Sequence, residues 1–138
     1  MAYLKPPLFA KRVFNPLAMR FGISGTETLV VPRRRSREPQ RVPVIPVDYQ
    51  GARYIVSTRG ESDWVRNLRE AGGGELHSKG STKAFTASEV PVEQRAAIID
   101  AYRTKAGKTV DTYFKKLPEA EDHPIFRVED PQRTATTA

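Results

Sequence analysis

Cysteine is absent from the 138 residues, which excludes disulfides, thiolate metal sites and cysteine nucleophiles. Histidine occurs twice, at His77 and His123, too far apart in sequence to form a metal-ligand spacing. No metal site is expected. No apolar run approaches the ~20 residues that cross a bilayer as a helix. No signal-peptide pattern opens the chain, so a cytoplasmic location is the expectation. The motifs of common catalytic centres are missing as well: there is no GxSxG elbow, P-loop, HExxH or GxGxxG. Internal repeats and βαβ alternation are lacking too. A chain with so few reactive side chains is either a binder or an enzyme whose cofactor does the hard chemistry.

What is present is positive charge, with a formal net charge of +7, which favours anionic partners without choosing among them. It is concentrated in VPRRRSREPQRVP, residues 31–43, where Arg33, Arg34, Arg35, Arg37 and Arg41 are opposed by Glu38 alone. β-branched, apolar segments flank this run, so it reads as the connection between two strands. Guanidinium forks on such a platform pair bidentately with phosphate or carboxylate; a solvated, edge-protecting hairpin is the plain alternative.

Along the chain, residues 8–21 place Phe9, Val13, Leu17 and Phe21 at helical spacing, interrupted by Pro16. Such a segment either packs on the domain or lies on a membrane surface, which would bring the protein to the inner membrane face. Strands are expected over Thr26–Val31, Arg41–Tyr49 and, after a Gln50-Gly51 turn, Arg53–Thr58. Pro43 and Pro46 require the second of these to be an edge strand or to bulge. Glu61–Ala71 reads as a helix stopped by Gly72-Gly73-Gly74. Strands follow over Glu75–Ser78 and Lys83–Glu89, then a helix from Pro91 to about residue 106 with Ala97, Ile98, Ala101 and Tyr102 as its apolar face. A short helix over Val110–Leu117, a closing strand over Ile125–Val128 and a frayed tail from residue 130 complete the reading. Six short strands with helices late in the order indicate an α+β fold built on a closed or rolled antiparallel sheet. Residues 1–24 form a helical segment, 25–129 the main domain and 130–138 a tail. Asp48, Asp63 and Asp100 have no paired carboxylate in sequence.

The succession RRRSREPQRVPV, DYQGARYIVSTRG and DWVRNLREAGGGEL resembles the deazaflavin-dependent nitroreductase family, over about residues 25–129. The resemblance implies a flavin-binding split β-barrel, of the flavin-reductase and pyridoxamine-oxidase type, with peripheral helices. It implies coenzyme F-420, an 8-hydroxy-5-deazaflavin, as cofactor; flavin mononucleotide is the runner-up. Carried over residue by residue, Arg34, Arg35 and Ser36 match the hairpin positions that hold the phosphate and the carboxylates of the cofactor tail. Pro39 and Pro43 match the two hairpin prolines, and Arg41 follows a position where an arginine is common. Ser57, Thr58, Arg59 and Gly60 match the strand end beside the deazaflavin and its linker, and Trp64 and Asn67 the helix residues near the ring. Trp64 is either that contact or a core anchor, and Asn67 either that contact or a local bridge. Tyr113 lies in the helical region that covers the substrate in the family, as a proton donor or substrate contact, or packs ordinarily. The sequence departs from the pattern at Arg33 and Arg37, where glycines are usual; since arginine tolerates positive φ poorly, a changed hairpin backbone is expected.

The resemblance implies an oxidoreductase that passes a hydride to a small organic acceptor: an activated alkene, quinone, nitroaromatic or unsaturated lipid. The alternatives are a non-catalytic deazaflavin carrier, a flavin mononucleotide-binding barrel and a small basic barrel for nucleic acid. The strands do not interleave aromatic and basic residues as a stacking platform would, so no nucleic acid is expected. The chain is expected to act as a monomer or homodimer.

Overall fold

In a computed structural model of the chain, residues 25–131 are described. The helix expected over residues 8–21, with its membrane contact, lies outside them, as does the tail from residue 132. Seven strands form one antiparallel sheet: β1 (Glu27–Pro32), β2 (Pro39–Val44), β3 (Val47–Tyr49), β4 (Ala52–Val56), β5 (Gly73–Ser78), β6 (Ser81–Glu89) and β7 (Ile125–Glu129). Helix α1 (Asp63–Ala71) sits between β4 and β5, and α2 (Arg95–Ala106) and α3 (Asp111–Lys116) between β6 and β7.

One stretch read from sequence as a single strand, Arg41–Tyr49, is two strands. Pairing starts earlier, at Pro39, stops at Val44, and resumes at Val47 after the break at Ile45-Pro46. The break decides the architecture. The strand order is β2-β1-β5-β6-β7-β4-β3, so β2 and β3 are the two outer strands of one sheet. The three residue steps between Val44 and Val47 span at most about 11 Å. A sheet whose outer strands are tied that closely must roll up. The edge position of β2 is also what lets Pro39 and Pro43 sit in a strand.

Burial follows the pleat. Ile55 and Phe126 belong to an inner cluster with Leu29, Val31, Val44, Leu76 and Phe85, and α1 adds Val65 and Leu68 to it. Their neighbours Val56 and Ile125 face the other way, into an outer cluster with Ile98, Ile99 and Tyr102 of α2 and Phe114 of α3. The α2 face differs from the expectation. Ala97 is exposed, and the buried positions are Arg95, Ile98, Ile99 and Tyr102, an i, i+3, i+4, i+7 stripe that opens on a charge. Arg95 is accommodated because Nε donates to Val90 O at 3.0 Å and Nη1 to the carbonyls of Ala120 and Glu121.

The glycine run does two things. Gly72, at φ 74°, ends α1 with its N–H donated to Leu68 O. Gly73 and Gly74 already belong to β5, two residues ahead of the expected start; a Cβ at Gly73 would lie 2.3 Å from Phe85 O, and one at Gly74 2.6 Å from Val30 O.

Candidate functional site

The arginine hairpin is rigid at its base. Arg33 N donates to Glu38 O, Arg33 Nη1 to Pro39 O, and Glu38 N to Ser36 Oγ. Arg37, one of the two arginines at positions where the resemblance has glycine, takes the left-handed φ of 66° and closes a turn onto Arg33 O. Arg33 does not have a positive φ.

Asn67, on α1 and 4% exposed, fastens this hairpin to the helix. Its Oδ1 accepts from Arg34 N at 3.2 Å and from Arg34 Nη1 at 3.0 Å, and its Nδ2 donates to Gln40 Oε1 at 2.7 Å. Arg34 Nη1 also reaches Asp63 O, with the Asp63 carboxylate 3.9 Å away. Arg34 is thus occupied by protein groups. Among the described residues, the side chains of Arg35, Arg37 and Arg41 have no hydrogen-bond or ion-pair partner, and all three are exposed. Arg41 and Pro43 lie on the outer face of β2, opposite Gln40.

The strand end after β4 makes a second junction. Ser57 is buried, and its Oγ donates to Gly60 O at 2.6 Å; Ser62 N bonds the same carbonyl. Gly60 takes φ 82° and Thr58 is half-buried. Arg59 turns toward α3: Nη2 donates to Tyr113 Oη at 3.2 Å, and the guanidinium carbon stands 5.3 Å from the centre of the Tyr113 ring. Trp64, half-buried at the start of α1, packs its ring 6.2 Å from that of Phe126. Trp64 packs on the core and keeps part of its surface accessible.

His123 joins the two sides of this junction. It is fully buried, with Nδ1 2.8 Å from Ser57 O, Nε2 2.6 Å from Leu117 O, and its ring stacked at 4.3 Å on Phe114. One nitrogen thereby faces the strand end and the other the end of α3.

No protein-family model matches the chain, and no curated protein does. Solved structures do. An F420-H2 dependent reductase superposes with a TM-score of 0.53 at 20% identity, over 77% of this chain and 95% of that one. A protein from Clostridium acetobutylicum related to general stress protein 26 of B. subtilis, of the pyridoxinephosphate oxidase family, matches with a TM-score of 0.55 at 10% identity, over 78% and 75%. The fold is the split β-barrel. A heme-binding protein from Mycobacterium smegmatis shares it, with a TM-score of 0.55 at 15% identity over 75% of this chain; the chain spans 45% of that protein's length. The split barrel therefore occurs both in a reductase that depends on F420-H2 and in a heme binder, and the likeness is one of fold.

On this split barrel, three pairs of the sequence-derived residues touch directly and others stand apart. Arg34 and Asn67 touch directly, as do Ser57 and Gly60 through Oγ, and Arg59 and Tyr113; α1 follows the strand end and carries Trp64 and Asn67. Arg35 and Ser36 are at the exposed hairpin tip. Among the described residues, no side-chain hydrogen bond or ion pair joins Arg41 or Pro43 to the rest. Gln40 and His123 were missed as site-building residues. Gln40 had a signal, since it replaces a charged residue next to a strand edge. His123 had none, because a lone histidine carries no spacing. The donor set fits a deazaflavin with a phosphodiester and carboxylates: free guanidinium groups at the hairpin, and a half-buried indole one helix turn from Asn67.

A cavity of about 790 Å³ opens elsewhere on the barrel, lined among others by Glu27, Arg53, Leu76, Lys83, Phe85 and Val128, and includes none of these residues. Its rim charges are largely satisfied, Arg53 bonding both Glu27 at 3.0 Å and Asp48 at 3.3 Å. Among the described residues no acid and histidine cluster could hold a metal, and no helix is long and apolar enough to cross a membrane.

Proposed function

We propose that this split barrel is an oxidoreductase that binds reduced coenzyme F-420 and serves hydride transfer to a small organic acceptor, an activated alkene, quinone, nitroaromatic or unsaturated lipid. One observation carries the reading: the hairpin is clamped to α1 through Arg34, Asn67 and Gln40, which leaves Arg35 and Arg37 presented on a fixed support, unpaired among the described residues. Charge held in place binds a polyanion without the ordering cost of a mobile loop. Arg35, Arg37 and Arg41 supply forks for the phosphate and tail carboxylates, and Ser36 stabilises the turn that carries them. Ser57, Thr58, Gly60 and Trp64 shape the slot for the ring, and Tyr113 provides a hydroxyl proton on the acceptor side. When bound, the reduced deazaflavin supplies two electrons together, as a hydride.

The test is a fluorescence titration of the protein with coenzyme F-420, flavin mononucleotide and a short DNA duplex. Selective binding of the deazaflavin is expected, weakened about 10- to 100-fold in Arg35→Ala/Arg37→Ala, as the loss of charge-assisted hydrogen bonds implies. Preference for flavin mononucleotide would replace the cofactor. Affinity for DNA alone, falling steeply with salt, would replace the function.

A further inference from the structure

The resemblance gives Arg59 to the cofactor, but its side chain is turned to Tyr113. We infer that Arg59 is a positioning residue for the Tyr113 hydroxyl and not an anchor for the cofactor's anionic groups. This rests on the reading above for its chemistry and on geometry for the pairing.

A guanidinium carries donors only and stays charged at any relevant pH. In the 3.2 Å contact between Arg59 Nη2 and Tyr113 Oη the phenol oxygen is therefore the acceptor. Its single proton cannot lie on the line to Arg59 and is left for another acceptor. The same guanidinium stands 5.3 Å from the ring centre, so one group restrains both the hydroxyl and the ring plane. The two residues are 54 apart in sequence, and the structure fixes both ends of the pair. Ser57 Oγ bonds Gly60 O across the Arg59 turn. Phe114, next to Tyr113, is buried between Tyr102, 6.3 Å away, and His123, 4.3 Å away. The two ring nitrogens of His123 lie within hydrogen-bond distance of the Ser57 carbonyl on the strand end and the Leu117 carbonyl just past α3. This is how a hydroxyl is held for transfer rather than packed for stability.

For an α,β-unsaturated ketone the step balances with one proton. The bound deazaflavin would supply a hydride to the β carbon, which would shift the C=C π pair toward the carbonyl and leave the α carbon in need of one proton. The Tyr113 O–H bond breaks as a C–H bond forms at the α carbon, the alkene gaining the two electrons the deazaflavin loses. Arg59 faces the oxygen until water returns its proton.

The experiment uses the whole chain in four forms: wild type, Arg59→Met, Arg59→Lys and Tyr113→Phe. First, without any cofactor, the protein is labelled with ¹³Cζ-tyrosine, and the Tyr113 resonance is assigned by its loss in Tyr113→Phe. It is expected to move in Arg59→Met and to return toward wild type in Arg59→Lys. Second, with reduced coenzyme and cyclohexenone, Arg59→Met is expected to lower kcat about 10- to 100-fold, with Lys partly restoring it and the deazaflavin Kd unchanged. A Tyr113 resonance indifferent to Arg59 overturns the pairing. A weaker deazaflavin Kd with kcat intact makes Arg59 an anchor and overturns the inference. Absence of coenzyme binding removes the hydride source and sinks the catalytic part with the reading beneath it, while the resonance still judges the pair.

Discussion

At the scale of single residues, the hairpin shows a sequence rule overridden. Arg37 holds φ 66°, a conformation that costs a side-chain-bearing residue about 1–2 kcal/mol. Arg37→Gly should therefore raise stability by about 0.5–1 kcal/mol in urea unfolding, the relief of strain being partly offset by the greater freedom of glycine in the unfolded chain. A loss of stability would show that the guanidinium makes a contact that outweighs the strain. Legibility at this scale was uneven. The arginines of the hairpin, Trp64, Asn67 and Tyr113 were singled out from sequence, and the structure joins Asn67 to Arg34 and Tyr113 to Arg59. Which arginines are free was not legible, because that depends on partners 29 to 54 residues away. Arg95 was overlooked for a simpler reason: a charge at the head of an apolar stripe reads as its boundary until buried carbonyls are found around it.

Among elements, turn chemistry was the most readable signal. Gln50-Gly51, read as a turn, carries positive φ at both positions, as a tight hairpin needs. Strand limits were less readable, since pairing extends to residues with no apolar signal, such as Ser81 and Gly73. Gly74 shows why. Its missing Cβ lets β5 lie against β1, where any side chain would meet Val30 O at 2.6 Å, a backbone atom that cannot swing aside. Gly74→Ala should cost about 3 kcal/mol or more in thermal or urea unfolding. A cost below about 1 kcal/mol would mean that β1 and β5 separate easily, contrary to their tight register.

For the whole molecule, a charged chain links α1, the end of β6 and the start of α2. Arg69 on α1 bonds Glu61 through Nη1 at 2.9 Å and Nη2 at 3.0 Å, and Glu89 at the end of β6 through Nε at 2.7 Å; Glu89 also meets Arg95 at the start of α2. The Arg69 hydrogen bonds hold the Glu61 carboxyl below its ordinary value, against the opposing effect of its burial. The folded state thus binds the Glu61 proton less readily than the unfolded chain does. Its contribution is complete above the unfolded value, near 4.5, and is lost as pH falls through the lower folded value. Glu61→Gln should cost about 2 kcal/mol at pH 7, and urea midpoints of variant and wild type should converge as pH falls below 4.5. A difference that persists unchanged in acid would assign the effect to packing. The rolled sheet was legible as a class, because six short strands with late helices admit few other arrangements. How the roll closes was not, since it rests on Ile45-Pro46 interrupting an otherwise continuous β signal.

That interruption has a consequence for pairing fidelity. In most barrels the seam is a ladder of hydrogen bonds, and two strands can shift against each other there without disturbing the rest. In this protein the seam is covalent: β2, which pairs with β1, runs through Ile45 and Pro46 into β3, which pairs with β4. A slip of one residue in the first hairpin would turn its side chains inside out and would have to be matched, over two residues of slack, by the same slip in the second. The two hairpins share one alignment, and an error in either is refused by the other.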